Sequence, residues 1–298
     1  LSTLVDGNLS RGVIVVGDLA DDLAPQIEDL ARSTGWPVIS EPSGNASGLA
    51  SSLAHGPLLL EVPAFAETHV PDVVVSIGRF GLHRSIMSML KKAGTHIAVD
   101  VGPRTGLADP SRTATVVVPT VPTAKALTPD PDWLAEWRSA DVAAADAVAS
   151  VIVTGSLTGP AVARALAAHV RPDDLLVVGA SWPVRHTALY AGALVCRCFG
   201  NRGTSGIDGI VSTAWGAALS WPSGTTYTLL GDLSAIYDRN GLLAAPGEEA
   251  PNLVYVVIDN NGGGIFSSLE QGAPAFATDF ERVFGTPRSE EHTSELQS

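Results

Sequence analysis

The sequence predicts an α/β protein built from two Rossmann-like, parallel-sheet domains in series. Three observations carry that expectation. Short runs rich in Val and Ile recur along the chain, they are apolar at successive rather than alternate positions, and stretches with helical periodicity separate them. Strands that are apolar on both faces need cover on both faces, as in a parallel sheet with helical crossovers. A length of 298 residues holds about two such domains.

In the first domain, expected over 1–122, strands are placed at Gly12–Val16, 37–40, 72–77, 96–101 and 114–118, with helices over 23–33 and 82–93. Several strands end in glycine, at Gly17-Asp18, Gly78-Arg79 and Gly102-Pro103. Such carboxyl-end loops are where open α/β sheets bind ligands. No GxGxxG run accompanies them, so a dinucleotide site is not expected. Residues 120–131 carry Pro122, Pro129 and Pro131 and read as a linker. An Ala-rich helix over 133–150 follows, with Trp133 and Trp137 one turn apart. Linker and helix together occupy 123–150.

The second domain, 151–287, repeats the alternation. Its elements are a helix at 160–169, strands at 174–178 and 193–199, a helix at 206–219, a strand at 225–230, a short helix near 234–240 and a strand at Leu253–Ile258.

Composition narrows the function classes. Hydrophobic residues make up 45% and charged residues 16%, as in a packed chain rather than a disordered one. The formal net charge is −13 and no Lys/Arg run occurs, which argues against nucleic acid as a partner. An anionic cofactor still fits an acidic protein where a metal ion and backbone N–H groups supply local positive potential. Cys196 and Cys198 lie on one expected strand, and a disulfide between them is not expected. No signal peptide and no apolar run of about 18 residues is present, so a cytoplasmic protein without a membrane span is expected.

The two ends read differently from the rest. The chain starts at Leu1 and enters a strand almost at once, as an excerpt does. Residues 288–298, RSEEHTSELQS, are polar and unpatterned, and a common sequencing-library adapter encodes the same peptide. They are therefore expected to be adapter translation and are set aside from fold reasoning, like an expression scar.

The chemistry-bearing pattern lies in the second domain. The strand at 225–230 runs into Gly231-Asp232-Leu233-Ser234; residues 234–259 intervene before Asn260-Asn261, which ends the next strand and is followed by Gly262-Gly263-Gly264. GD and NN dipeptides commonly mark turns alone. Gly17-Asp18 also follows a strand, without an Asn-Asn at that distance. At Asp232 the spacing, the strand context and the glycine run agree. Neighbouring parallel strand ends would then direct oxygen ligands at one point, and magnesium takes near-octahedral oxygen coordination.

This pattern resembles the signature of thiamine-diphosphate (ThDP) enzymes. The resemblance implies a Mg2+ (or Mn2+) ion held by Asp232, the side chain of Asn260 and the carbonyl of Gly262. It also implies that Gly231 and the N–H groups of Leu233 and Ser234 face the diphosphate, at the start of a helix. The glycines at 262–264 would allow close backbone approach and positive φ. Three further segments, SWPVR at 181–185, NRGTSGIDG at 201–209, and NNGGGIF at 260–266 with FERVFGTP at 280–287, are similar to the 2-succinyl-5-enolpyruvyl-6-hydroxy-3-cyclohexene-1-carboxylate synthase family, most of all its actinobacterial members.

That family is the carboligase of menaquinone biosynthesis. Membership implies decarboxylation of 2-oxoglutarate and addition of the resulting fragment to isochorismate. Both substrates are multiply anionic. Arg185 and Arg202 match the family's carboxylate-binding arginines, where a planar fork suits bidentate binding. Ser181 would hydrogen-bond substrate and Ile207 would prop ThDP in its bent shape. The plain alternatives are surface ion pairs for the arginines and simple core packing for Ile207; Asp208 is a candidate helix cap.

Enzymes of this kind also need an N-terminal pyrimidine-binding domain with a glutamate, and nothing here resembles it. The fragment alone is therefore expected to be inactive, with no catalytic residue of its own, and to bind ThDP weakly at most. The full-length protein is expected to be a homodimer or homotetramer. Two other functions compete: another ThDP carboligase or decarboxylase such as an acetohydroxyacid synthase, and a non-catalytic effector-binding protein that uses strand-end loops near Arg79, Arg84 and Arg104. Sequencing the source locus across codon 288 should reveal a different continuation after Pro287; an unchanged continuation would make 288–298 a genuine acidic tail.

Overall fold

The computed structural model describes residues 1, 9–19, 22–101, 109–124, 127–152, 157–244 and 246–287. Gly102, Pro103, Arg104 and the segment 288–298 lie outside these. The described chain forms two compact units, one of Leu1–Pro172 with Arg185–Cys198, the other of Asp173–Val184 with Phe199 onward. By packing, the first unit thus extends past the 150/151 division read from the sequence and reclaims a later stretch of chain. The expected α/β class holds: both sheets are parallel in every described pairing.

The first unit contains β1 (Gly12–Val16), α1 (Ala24–Thr34), β2 (Val38–Ser40), α2 (Gly56–Leu59), α3 (Pro63–Thr68), β3 (Val73–Ile77), α4 (Arg84–Lys92), β4 (Thr95–Val99), β5 (Val116–Val118), α5 (Pro131–Val151) and α6 (Gly159–His169). Its sheet has the order β2-β1-β3-β4-β5. Successive strand residues feed opposite faces, as the pleat requires. Ile14, Val16, Val75, Ile77, Ile97 and Val99 pack with Ile27 and Leu30 of α1 and with Trp36. Val13, Val15 and Val74 pack with Ile86, Met89 and Leu90 of α4 and with Trp133 and Trp137 of α5. Both tryptophans, one turn apart on the same face, are fully buried, and Trp133 Nε1 donates to Gly12 O at 2.8 Å.

The strand order changes direction between β1 and β3, where a doubly wound sheet ordinarily opens a ligand crevice. Here the loops close on each other. Asp18 N donates to Arg79 O at 2.7 Å and Arg79 N to Asp18 O at 3.1 Å, and the two side chains pair at 3.3 Å. Buried Glu41 accepts from the N–H groups of Gly81 and Leu82 at 2.9 and 2.7 Å. The chain itself satisfies the groups that an effector would use at Gly17-Asp18 and Gly78-Arg79.

The second sheet has the order β7-β6-β8-β9, from β6 (Leu175–Val178), β7 (Arg197–Phe199), β8 (Thr226–Gly231) and β9 (Leu253–Ile258). Its helices are α8 (Ile210–Leu219), α9 (Asp232–Tyr237) and α10 (Ala277–Phe280), while α7 (Trp182–Tyr190) begins in this unit and belongs to the first from Arg185. Leu175, Val177 and Leu230 pack on Ile210, Val211 and Ala214 of α8. Two elements are shorter than the sequence predicts. The expected strand at 193–199 contracts to β7 because Leu194 N donates to Ser47 Oγ rather than to a sheet neighbour. The helix expected from 206 starts at Ile210, since Gly209 takes the left-handed conformation (φ 68°) as its N-cap. Cys196 and Cys198 are buried thiols that form no disulfide. No helix among the described residues is long and apolar enough to cross a membrane.

Burial of two histidines predicts a pH dependence of stability. His96 on β4 sits between Ser76 Oγ (2.7 Å) and Thr113 Oγ1 (2.9 Å), and burial lowers its pKa against a smaller opposing effect of Asp109. Burial also lowers His186, to about 4. A depressed histidine pKa gives stability that is present above the ordinary value of 6.5 and lost as pH falls towards the folded value. The urea midpoint should therefore decline between pH 6.5 and about 4, and His186→Gln should flatten that decline. A midpoint constant across the window would refute this.

Candidate functional site

The site begins with strand register. β8 and β9 pair in parallel with Gly231 opposite Ile258, so both chains leave the sheet at the same end. Gly231 is extended (φ −87°, ψ 164°) and α9 starts directly at Asp232. Asp232 and Ser234 are buried and Leu233 is half-buried. The Asp232 carboxylate accepts from Gly262 N at 2.8 Å and from the N–H of Leu233. The GD and NNG segments, remote in sequence, are thereby tied together.

The loop after β9 is built for close approach. Asp259 Oδ1 accepts from Asn261 N at 2.9 Å, and Asn261 and Gly262 both take positive φ, 62° and 118°. A Cβ at 262 would overlap the Gly285 carbonyl, and one at 263 would overlap that of Phe284. Gly263 N donates to Gly285 O at 2.7 Å. The chain at 284–286 thus lies against the glycine run, so the glycines accommodate this protein's own backbone. Exposed Asn260 has its amide nitrogen against Gly264, and the Trp182 indole nitrogen lies 3.7 Å from where a Gly264 Cβ would be. The end of β6 therefore reaches the same loop.

Asp259 belongs to this cluster and was missed in the sequence, where it reads as part of a polar Asp-Asn-Asn turn. Its side chain touches that of Asp232. Burial pushes the Asp232 carboxyl up, Asp259 adds to that shift, and the Leu233 and Gly262 N–H groups oppose it. Two adjacent carboxylates cannot both ionise cheaply without a cation. Among the described residues no group of three or more His, Cys, Asp or Glu is arranged to hold a metal ion, so any metal here would also need amide or backbone oxygens. The donors at hand, two carboxylates, an amide oxygen and a backbone carbonyl, are all hard oxygens and fit Mg2+.

Ser181 and Arg202 lie beyond the ends of β6 and β7 in the same sheet. Ser181, between β6 and α7, has left-handed backbone (φ 70°), a strained state for a residue with a side chain. Arg185 is half-buried on α7 and packs with the first unit. Arg202 sits in the loop before α8, where Asn201 Nδ2 donates to Thr213 Oγ1 at 3.0 Å. One terminal nitrogen of Arg202 is buried without a hydrogen bond among the described residues, a donor that an anionic ligand would satisfy. Ile207 is half-buried in the same loop, and exposed Asp208 caps no helix: Gly209 holds that position. Asp238, just past α9, accepts from Ser212 N at 2.8 Å and so binds the end of α9 to the start of α8.

The glycine geometry makes a stability prediction. Gly262→Ala should cost about 1–3 kcal/mol or more in chemical denaturation, through strained φ and the overlap with Gly285. Gly231→Ala, with ordinary φ and open space around its Cβ, should stay within about 0.5 kcal/mol. Equal effects would contradict the close-approach account.

Comparisons with known proteins agree with this architecture. The family described as "Middle domain of thiamine pyrophosphate" matches residues 3–178. The chain is 46% identical over 285 residues to a 2-succinyl-5-enolpyruvyl-6-hydroxy-3-cyclohexene-1-carboxylate synthase of Thermobifida fusca, covering 94% of this chain and 50% of that protein. Proteins of the same name from Saccharopolyspora erythraea and Nocardioides sp. are 38% and 36% identical, covering 96% and 94% of this chain and 51% and 54% of theirs. The chain spans about half the length of the curated relatives it matches. It belongs to the thiamine pyrophosphate middle-domain family and is similar, over nearly all of its own length, to these synthases.

Proposed function

We propose that this chain is part of a ThDP- and Mg2+- (or Mn2+-) dependent transferase that joins decarboxylated 2-oxoglutarate to isochorismate in menaquinone biosynthesis. One observation carries the site: the hydrogen bond from Gly262 N to the buried Asp232 carboxylate, which brings the two halves of the ThDP signature together. Similarity over 94% of the chain to a protein named 2-succinyl-5-enolpyruvyl-6-hydroxy-3-cyclohexene-1-carboxylate synthase supports the class of product, and the substrate pair is what the family resemblance implies. Domain roles follow. By this reading residues 1–122 serve as the central domain, 123–150 as the linker and helix, and 151–287 as the diphosphate-binding domain, although 151–172 and 185–198 pack with the first unit.

Asp232, Asn260 and Gly262 hold the metal through oxygen, with Asp259 adding negative potential beside Asp232. Gly231, Leu233 and Ser234 line the diphosphate side of this turn, with the Ser234 N–H available to the diphosphate and the Leu233 N–H on the Asp232 carboxylate. Ile207 would support the cofactor through apolar contact. Arg185 and Arg202 clamp substrate carboxylates, and Ser181 donates a hydrogen bond from its strained turn. When bound, ThDP supplies the carbanion-stabilising chemistry that 2-oxo acid decarboxylation requires. The partners are small-molecule substrates and further subunits of the same protein, as a homodimer or homotetramer in the cytoplasm.

The full-length protein, supplied with 2-oxoglutarate and isochorismate, should form product only with ThDP and Mg2+ present. The isolated chain should show no turnover. Arg202→Ala should raise KM for at least one substrate by about ten-fold or more, the loss of one charge-assisted contact. Turnover without ThDP and metal would sink the proposal, and preference for pyruvate as donor would shift it to an acetohydroxyacid synthase.

A further inference from the structure

Residues 185–198 lie between two segments of the second unit in sequence, yet they pack with the first. Side chains of the stretch between β2 and α2 hold their backbone. His55 Nδ1 bonds Leu189 O at 3.0 Å, Leu194 N donates to Ser47 Oγ at 3.2 Å, and Cys198 N donates to Asn45 Oδ1 at 2.6 Å. The partners are 134 to 153 residues apart in sequence, so only tertiary structure makes these bonds.

Each contact is itself held from behind. The Leu189 carbonyl lies in the last turn of α7, where carbonyls lack intrahelical partners. A carbonyl only accepts, so His55 carries its proton on Nδ1. Asp141 of α5 accepts from the N–H groups of His55 and Ala54 at 2.7 and 3.2 Å, which fixes the backbone from which that ring projects. Asn45 has left-handed backbone (φ 54°), and its Nδ2 donates to Ser43 O at 3.1 Å, which aims Oδ1 at Cys198. At Gly48 a Cβ would lie 2.9 Å from Leu194 O, so the two stretches run in direct backbone contact. Leu189, Leu194, Cys196 and Cys198 are buried and already anchor the segment by apolar burial. What the three hydrogen bonds add is direction and register.

We infer that Asn45, Ser47 and His55 are positioning residues for substrate binding. They fix the backbone of 189–198, which lies between Arg185 and Arg202 in sequence, and with it the direction in which the chain leaves Arg185 and approaches Arg202. This rests on the proposed roles of Arg185 and Arg202. Leu189 is one helical turn beyond Arg185, and Cys198 stands four residues before Arg202. Small displacements matter, because misplacing a substrate-binding group by about 1 Å costs up to ~10²-fold in rate.

The test uses the full-length protein with ThDP, Mg2+, 2-oxoglutarate and isochorismate. Asn45→Gly keeps the left-handed backbone and removes Oδ1, whereas Asn45→Asp keeps an acceptor oxygen. Asn45→Gly should raise substrate KM about ten-fold and leave the half-saturating ThDP concentration within about two-fold, a selective loss of substrate binding. Asn45→Asp should restore KM to within about two-fold of the parent. Ser47→Ala should give a smaller rise of the same kind, and it carries the test if Asn45→Gly does not fold. Unchanged KM in both variants, or a parallel loss of ThDP affinity, overturns the inference. Arg185→Ala is run alongside. Raised KM there with unchanged KM in Asn45→Gly and Ser47→Ala overturns the positioning role alone. Unchanged KM in Arg185→Ala overturns the proposed site and the inference with it.

Discussion

The constraint on which the site depends is the parallel pairing of β8 with β9, locked at its end by the Gly262 N–H on the Asp232 carboxylate. Parallel pairing needs a long crossover, which is why the two motif segments are far apart in sequence yet adjacent in space. Once the strands are in register, Gly231 and Ile258 release their chains at the same level. The positive φ of Asn261 and Gly262 then turns the second chain back over the first. An antiparallel pair would have sent those ends to opposite edges of the sheet.

The same end of the sheet concentrates unfavourable features. A buried carboxylate has a second carboxylate beside it, Ser181 and Asn261 have left-handed backbone, and Arg202 buries a guanidinium nitrogen without a partner among the described residues. Such features persist only where the surrounding packing over-determines them, and they gather at sites that bind ligands. The carboxyl end of the first sheet is the opposite case. There Asp18 and Arg79 pair with each other and Glu41 accepts from the Gly81 and Leu82 N–H groups, so these polar groups have partners within the chain.

The division of labour between the units also differs from their order in sequence. Residues 185–198 follow β6 but are held by Asn45, Ser47 and His55 through hydrogen bonds to their backbone. Backbone groups denied a sheet partner must find another, and side-chain oxygens and nitrogens of the β2–α2 stretch provide it. The chain therefore crosses between compact units more than once, which no single boundary describes.

Much of this was legible in the sequence. Continuous Val/Ile runs determined the parallel α/β class, the one-turn Trp133/Trp137 spacing put both on one face of α5, and the GD…NNGGG pattern located the Asp232–Gly262 pair, because all three depend on local periodicity or fixed spacing. Other features were decided only by tertiary structure. Asp259 joins Asp232, the strand at 193–199 contracts to β7, and 185–198 is captured by the first unit, because each depends on which distant groups satisfy a buried carboxylate or an unpaired backbone N–H. Composition and periodicity carry no information about partners more than a hundred residues away, and the choice among them is made only when the chain has packed.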